Sequence, residues 1–70
     1  MMTKYSIGYF VNGQHNHKYC DSKKDASNFA RKVSKGGRAY IYRVTGSYID
    51  GVFYEHEGVY VADYIDGKRK

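Results

Sequence analysis

The chain has 70 residues, a net charge of +5, one cysteine, and neither proline nor tryptophan. A chain of this length buries only about 60% of the surface it exposes when unfolded, so it supports a thin core and a single domain over residues 1–70. A lone Cys20 excludes an internal disulfide framework. No stretch reaches the ~20 apolar residues of a membrane span, and Met1–Tyr5 shows no leader-like apolar run. We expect a cytoplasmic protein with no membrane partner.

Residues 4–11 read as a strand, with Tyr5, Ile7, Tyr9 and Val11 alternating onto one face. Asn12-Gly13 is a hairpin signal, because a type I′ turn needs positive φ at both central residues. The return segment, about 14–20, is polar and reads as an edge strand.

The helix follows. Ser22 can cap it, and Asp25 three residues later completes a capping-box pattern. Ala26, Phe29, Ala30 and Val33 fall at i, i+3, i+4 and i+7, which makes one apolar stripe. Gly36-Gly37 stops it, so the spacing predicts a helix from about Lys23 to Lys35. Three further strands are expected at 38–45, 52–55 and 59–64. Gly46-Ser47 and Asp50-Gly51 break the pattern, His56-Glu57-Gly58 makes a tight turn, and Asp66-Gly67 ends the last strand. Tyr-Ile-Asp-Gly occurs at 48–51 and again at 64–67. Four residues are too few to imply duplication.

The expected fold is therefore α+β, in the order β-β-α-β-β-β: an antiparallel sheet of four to five strands with one helix packed on one face. One amphipathic helix covers one face only. Each long strand offers an aliphatic set and a tyrosine-rich set, such as Ala39 and Ile41 against Tyr40 and Tyr42. The pattern leaves open which set meets the helix.

Charge is unevenly placed. Residues 1–47 hold nine Lys/Arg against Asp21 and Asp25, and residues 48–70 hold three against five acids. A basic region points to an anionic partner. On the helix exterior, Lys24, Arg31 and Lys35 share a face with Asn28 between them, flanked by Lys23, Lys32 and Arg38. This is either a binding patch for phosphates or carboxylates, or an ordinary solvated face. The absence of acids on the helix after Asp25 favours binding, since a face kept for solubility usually mixes signs. The nine tyrosines offer a second surface. Rings among cations can stack bases, or serve as hot spots in a protein interface. The candidate partner-binding residues are thus Lys24, Asn28, Arg31, Lys32, Lys35, Arg38, Tyr40 and Tyr42.

His15 and His17 at i, i+2, with Cys20, Asp21 or His56, make only a weak metal signal, and we expect exposed edge residues with no metal. No nucleophile or general-base motif assembles, and Gly36-Gly37 follows a helix where a phosphate cradle would open one. No cofactor and no enzymatic activity are expected.

The stretch Asp21–Val44 (DSKKDASNFARKVSKGGRAYIYRV), with Asp66-Gly67-Lys68-Arg69, resembles small phage-encoded inhibitors, some type I-F anti-CRISPR proteins above all. Small phage inhibitors of host RNA polymerase share the strand-helix-strand plan. The resemblance covers about half the chain and implies a stoichiometric inhibitor, in the host cytoplasm, docking on a host protein or protein–nucleic acid complex. The alternatives are a nonspecific nucleic-acid-binding domain and a homodimeric structural protein.

Overall fold

The computed structural model describes residues 1–70 and is an α+β fold, one open antiparallel sheet with one helix packed against it. Its elements are β1 (Met2–Val11), β2 (Gln14–Cys20), α1 (Lys23–Val33), β3 (Arg38–Ile49), β4 (Val52–Ile65) and β5 (Lys68–Arg69). The spatial order is β2-β1-β3-β4-β5. The helix carries the chain from edge strand β2, across the sheet, to β3 on the far side of β1.

Three two-residue turns set the register. Asn12-Gly13, Asp50-Gly51 and Asp66-Gly67 all have positive φ at both residues, the backbone that a two-residue hairpin with the natural strand twist requires. The last two are the repeated Tyr-Ile-Asp-Gly, so each copy is the end of a strand and the start of a hairpin. This corrects the expected strands. β3 runs on to Ile49, and 52–65 is one 14-residue strand, not two. His56-Glu57-Gly58 is no turn. The register of β3 on β4 shifts between Ile41 and Tyr42, and again between Thr45 and Gly46. These irregularities bend a continuous strand.

Ser22 caps α1 by accepting a hydrogen bond from the Asp25 amide at 3.1 Å. The helix ends at Val33, because the Ser34 amide closes the last bond onto Ala30 and Gly36 then takes φ +74. Lys35 therefore lies just beyond the helix, and Arg31 and Lys32 are the basic residues of its last turn. Ala26 and Ala30 are fully buried against Ile7, Ala39, Ile41, Ala62 and Tyr64. Alanines at the contact let the helix axis approach the sheet closely, which suits a chain with little apolar volume. Phe29 meets Tyr9 edge to face at 5.2 Å, and the Lys18 ammonium sits 4.4 Å from the Phe29 ring.

The aliphatic set of β3 faces the helix, with Ile41 opposite Ile7 and Ala39 opposite Tyr9. Tyr40 and Tyr42 face away. On β4 the shift near Val61 places Tyr64 and Ala62 under the helix and Tyr60 opposite Tyr42 on the other side. A strict alternation could not have separated Tyr60 from Tyr64.

Candidate binding surfaces

The helix-free side of the sheet has two parts. The β3–β4 hairpin extends past the start of β1, where Met2 already pairs with Gly46. Its tip curls back over the sheet. At Gly46 there is no room for a side chain, because a Cβ would meet the Tyr54 carbonyl oxygen. The curl brings Phe53 of β4 onto Tyr19 of β2, 5.2 Å between centroids, although β1 and β3 lie between those strands. The Tyr19 hydroxyl donates to Glu55, and His17 contacts Ser6 and lies 3.9 Å from Glu55. Burial first, and then the Glu55 carboxylate, push the Tyr19 phenol up to about 12.

Beneath this clasp lies a small second core. Val44 is buried there, and so is Lys4. The Lys4 stem is covered, and its ammonium takes a partner that is itself exposed, Asp21. Lys4 donates to Asp21 at 2.6 Å and sits 5.5 Å from the Tyr48 ring and 5.9 Å from the Phe53 ring. Its pKa is raised, chiefly by the bond to Asp21 and then by Tyr48. Half of the tyrosine-bearing face is thus closed upon itself.

The other half, near the Asn12-Gly13 turn, stays open. Phe10, His15, Tyr40, Tyr42 and Tyr60 form a row across β1, β2, β3 and β4. Consecutive ring centroids are 5.2, 6.1, 5.9 and 5.8 Å apart. Tyr40 can cross β1 because Gly8 beneath it has no side chain. At the end of the row, Arg38 pairs with Asp63 at 3.1 Å. The second Asp63 carboxylate oxygen, Oδ1, is buried without a hydrogen-bond partner.

The expected site residues fall on two opposite faces. Lys24, Asn28, Arg31 and Lys32 are exposed on α1, with Lys35 just past its end. Asn28 accepts from Arg31 at 3.4 Å. Arg38, Tyr40 and Tyr42 lie on the helix-free side and are not continuous with that group through the sheet. Sequence reasoning missed the residues that do connect the two faces. Asp66 and Gly67 are fastened to the helix exit: the Gly36 amide donates to Asp66 at 3.0 Å, and the Gly67 amide donates to the buried Ser34 hydroxyl at 3.0 Å. This places β5 at the sheet edge. Arg69 pairs with Tyr64 on the helix side, while Lys68 pairs with Ile65 on the helix-free side. The Lys70 amide donates to the Asp63 carbonyl, which puts Lys70 beside the aromatic row. The signal was Asp66-Gly67 read as a hairpin turn, which would have made 68–70 a strand.

Of the twelve Lys/Arg, only Lys4 and Arg38 have a carboxylate within 4.0 Å. No group of three His, Cys, Asp or Glu side chains comes together, and the surface carries no cavity. His15 and His17 are instead engaged with Tyr40 and with Ser6. No helix is long and apolar enough to cross a membrane. Comparison with family models, with curated proteins and with solved structures returns no match.

Proposed function

We propose that this chain is a small non-enzymatic binding protein that docks on an anionic macromolecule or complex. It does so through the cationic helix face and the open part of its tyrosine-bearing sheet. The observation that carries this reading is the charge balance of the surface: ten of twelve cations have no carboxylate partner. Unpaired like charges raise the free energy of the folded monomer, and an anionic partner relieves that repulsion. The resemblance in Asp21–Val44 supports one form of this function, a phage accessory protein that inhibits a host nucleoprotein or enzyme complex.

The test is capture from a bacterial lysate by the immobilised chain, compared with a Lys24→Glu/Arg31→Glu/Lys35→Glu variant. The partner should be released by moderate salt and lost in the variant. Equal retention by both proteins, or none by either, overturns the reading. Nuclease treatment of the lysate separates a nucleic acid from a protein partner.

A further inference from the structure

We propose that the open aromatic row is a binding site for a single strand of nucleic acid, with bases lying on Tyr42, Tyr60 and Phe10 and phosphates held by Arg38, Lys68 and Lys70. The proposal rests on the anionic-partner reading and names the partner class.

Three observations converge on it. Rings come first. Phe10 is 47% exposed, Tyr42 39% and Tyr60 54%. Tyr40 meets Tyr42 at 86°, and Tyr42 meets Tyr60 at 77°. Edge-to-face contacts of this kind hold each ring in place yet leave ring faces without a partner. A base can stack on such a face whatever its identity.

Cations come second. Arg38, Ile65 and Lys68 are neighbours across β3, β4 and β5 on this face, and Tyr40, Asp63 and Lys70 form the next row. Three cations thus stand against one acid, Asp63, at the end of the aromatic row. Lysine is depleted in protein–protein interfaces, whereas phosphate recognition calls for it. The combination of half-exposed rings with unpaired lysines is the pattern of a strand-binding platform and not of an apolar protein interface.

Shape comes third. The clasp of Tyr19 with Phe53 and Glu55 covers one end of this face and leaves the ring row uncovered at the other. A duplex keeps its base faces inside its own stack and offers the rings nothing. A single strand exposes them. Nothing in this arrangement reads base edges in a fixed pattern, so the binding is expected to be tolerant of sequence.

The experiment is fluorescence anisotropy of a labelled oligothymidylate and of a duplex of the same length, with the full chain, at low and at physiological salt. Wild type should bind the single strand in preference to the duplex, with affinity falling steeply as salt rises. Tyr42→Ala and Tyr60→Ala should each weaken binding about tenfold, the size expected for one stacked base. Tyr60→Phe should bind as wild type, because the ring is retained. Circular dichroism of each variant confirms that the sheet is intact, and Tyr60 is exposed enough for its truncation to leave the fold unchanged. Equal affinity for strand and duplex, or alanine variants that bind as wild type, overturns the proposal. So does an absence of strand binding at low salt. If capture from lysate succeeds through the helix cations while these results are negative, the anionic-partner reading stands and the strand site falls.

Discussion

The Tyr40 ring lies directly over Gly8 of the neighbouring strand, and this lets its hydroxyl come within 2.7 Å of the His15 ring nitrogen one strand further on. A Cβ on Gly8 would overlap the ring atoms of Tyr40. Two effects of Gly8→Ala oppose each other. Alanine restricts the unfolded chain and gains about 0.5–1 kcal/mol. Forcing a ring out of a packed position costs about 1–3 kcal/mol. The clash wins, so Gly8→Ala should lower stability by about 1 kcal/mol net, read as a lower urea midpoint. In the double variant Gly8→Ala/Tyr40→Ala the clash is gone, and the two losses should fall short of additivity. Strict additivity would mean that the ring does not rest on Gly8.

The tyrosine-bearing face was legible in outline, because one amphipathic helix covers one side only. Its division was not. Alternation of Tyr40 and Tyr42 with Ala39 and Ile41 survives in the structure because no irregularity interrupts β1 against β3. Alternation fails for Tyr60 and Tyr64 because the β3–β4 register shifts between them, and a register shift depends on the partner strand and leaves no mark on local composition. Lys4 is the plainest case. A lysine near the start of a strand reads as exposed, yet the curl of a hairpin some forty residues away buries it beneath Tyr48 and Phe53. The helix cap at Ser22 and the apolar stripe were readable because both are local. Lys35 was misplaced by the same locality: the spacing favours continuation, while the Ser34 cap and the turn at Gly36 end the helix sooner.

The clasp should make stability sensitive to alkali. Tyr19 titrates at about 12 in the fold against 10.0 for the free group. Between those values the unfolded chain gives up a proton that the folded chain keeps. Stability from this group is therefore complete below pH 10 and is lost as pH rises from 10 to 12. Lys4, raised above its ordinary 10.5 mainly by the bond to Asp21, acts in the same direction. Urea midpoints measured from pH 8 to 11.5 should fall steadily above pH 10. Tyr19→Phe removes the phenol, and its curve should be flatter there than that of wild type. A parallel pair of curves would show that Tyr19 does not titrate as the structure requires.

Ser34 is buried and has two jobs at the helix exit: its hydroxyl donates to the Arg31 carbonyl at 3.4 Å and accepts from the Gly67 amide at 3.0 Å. Ser34→Ala leaves that amide without a partner in a partly buried position, at a cost of about 1–2 kcal/mol. The loss should be local as well as global. β5 has only two residues and is held by β4 and by this turn, so amide exchange at Lys68 and Lys70 should accelerate more than exchange at Ile7 or Ile41. Strand binding should weaken with it, because Lys68 and Lys70 lose their fixed place beside the row. Uniform acceleration through the sheet would mean that Ser34 matters to the core alone.

The repeated Tyr-Ile-Asp-Gly supplies its own control. Asp50 and Asp66 occupy equivalent turn positions with φ of 51 at both, so Asp→Ala at either removes the same tolerance for left-handed backbone. Only Asp66 does more, since its carboxylate accepts from the Gly36 amide and links the last turn to the helix exit. The difference between Asp66→Ala and Asp50→Ala therefore isolates that link, with the turn strain cancelling between them. We expect Asp66→Ala to be the more destabilising by about 1 kcal/mol, the usual net worth of one hydrogen bond. Asp66→Asn, which keeps an oxygen acceptor and tolerates positive φ, should recover most of the difference. Equal losses at 50 and 66 would show that the turn conformation alone matters, and that β5 is held by its pairing to β4 without help from the helix.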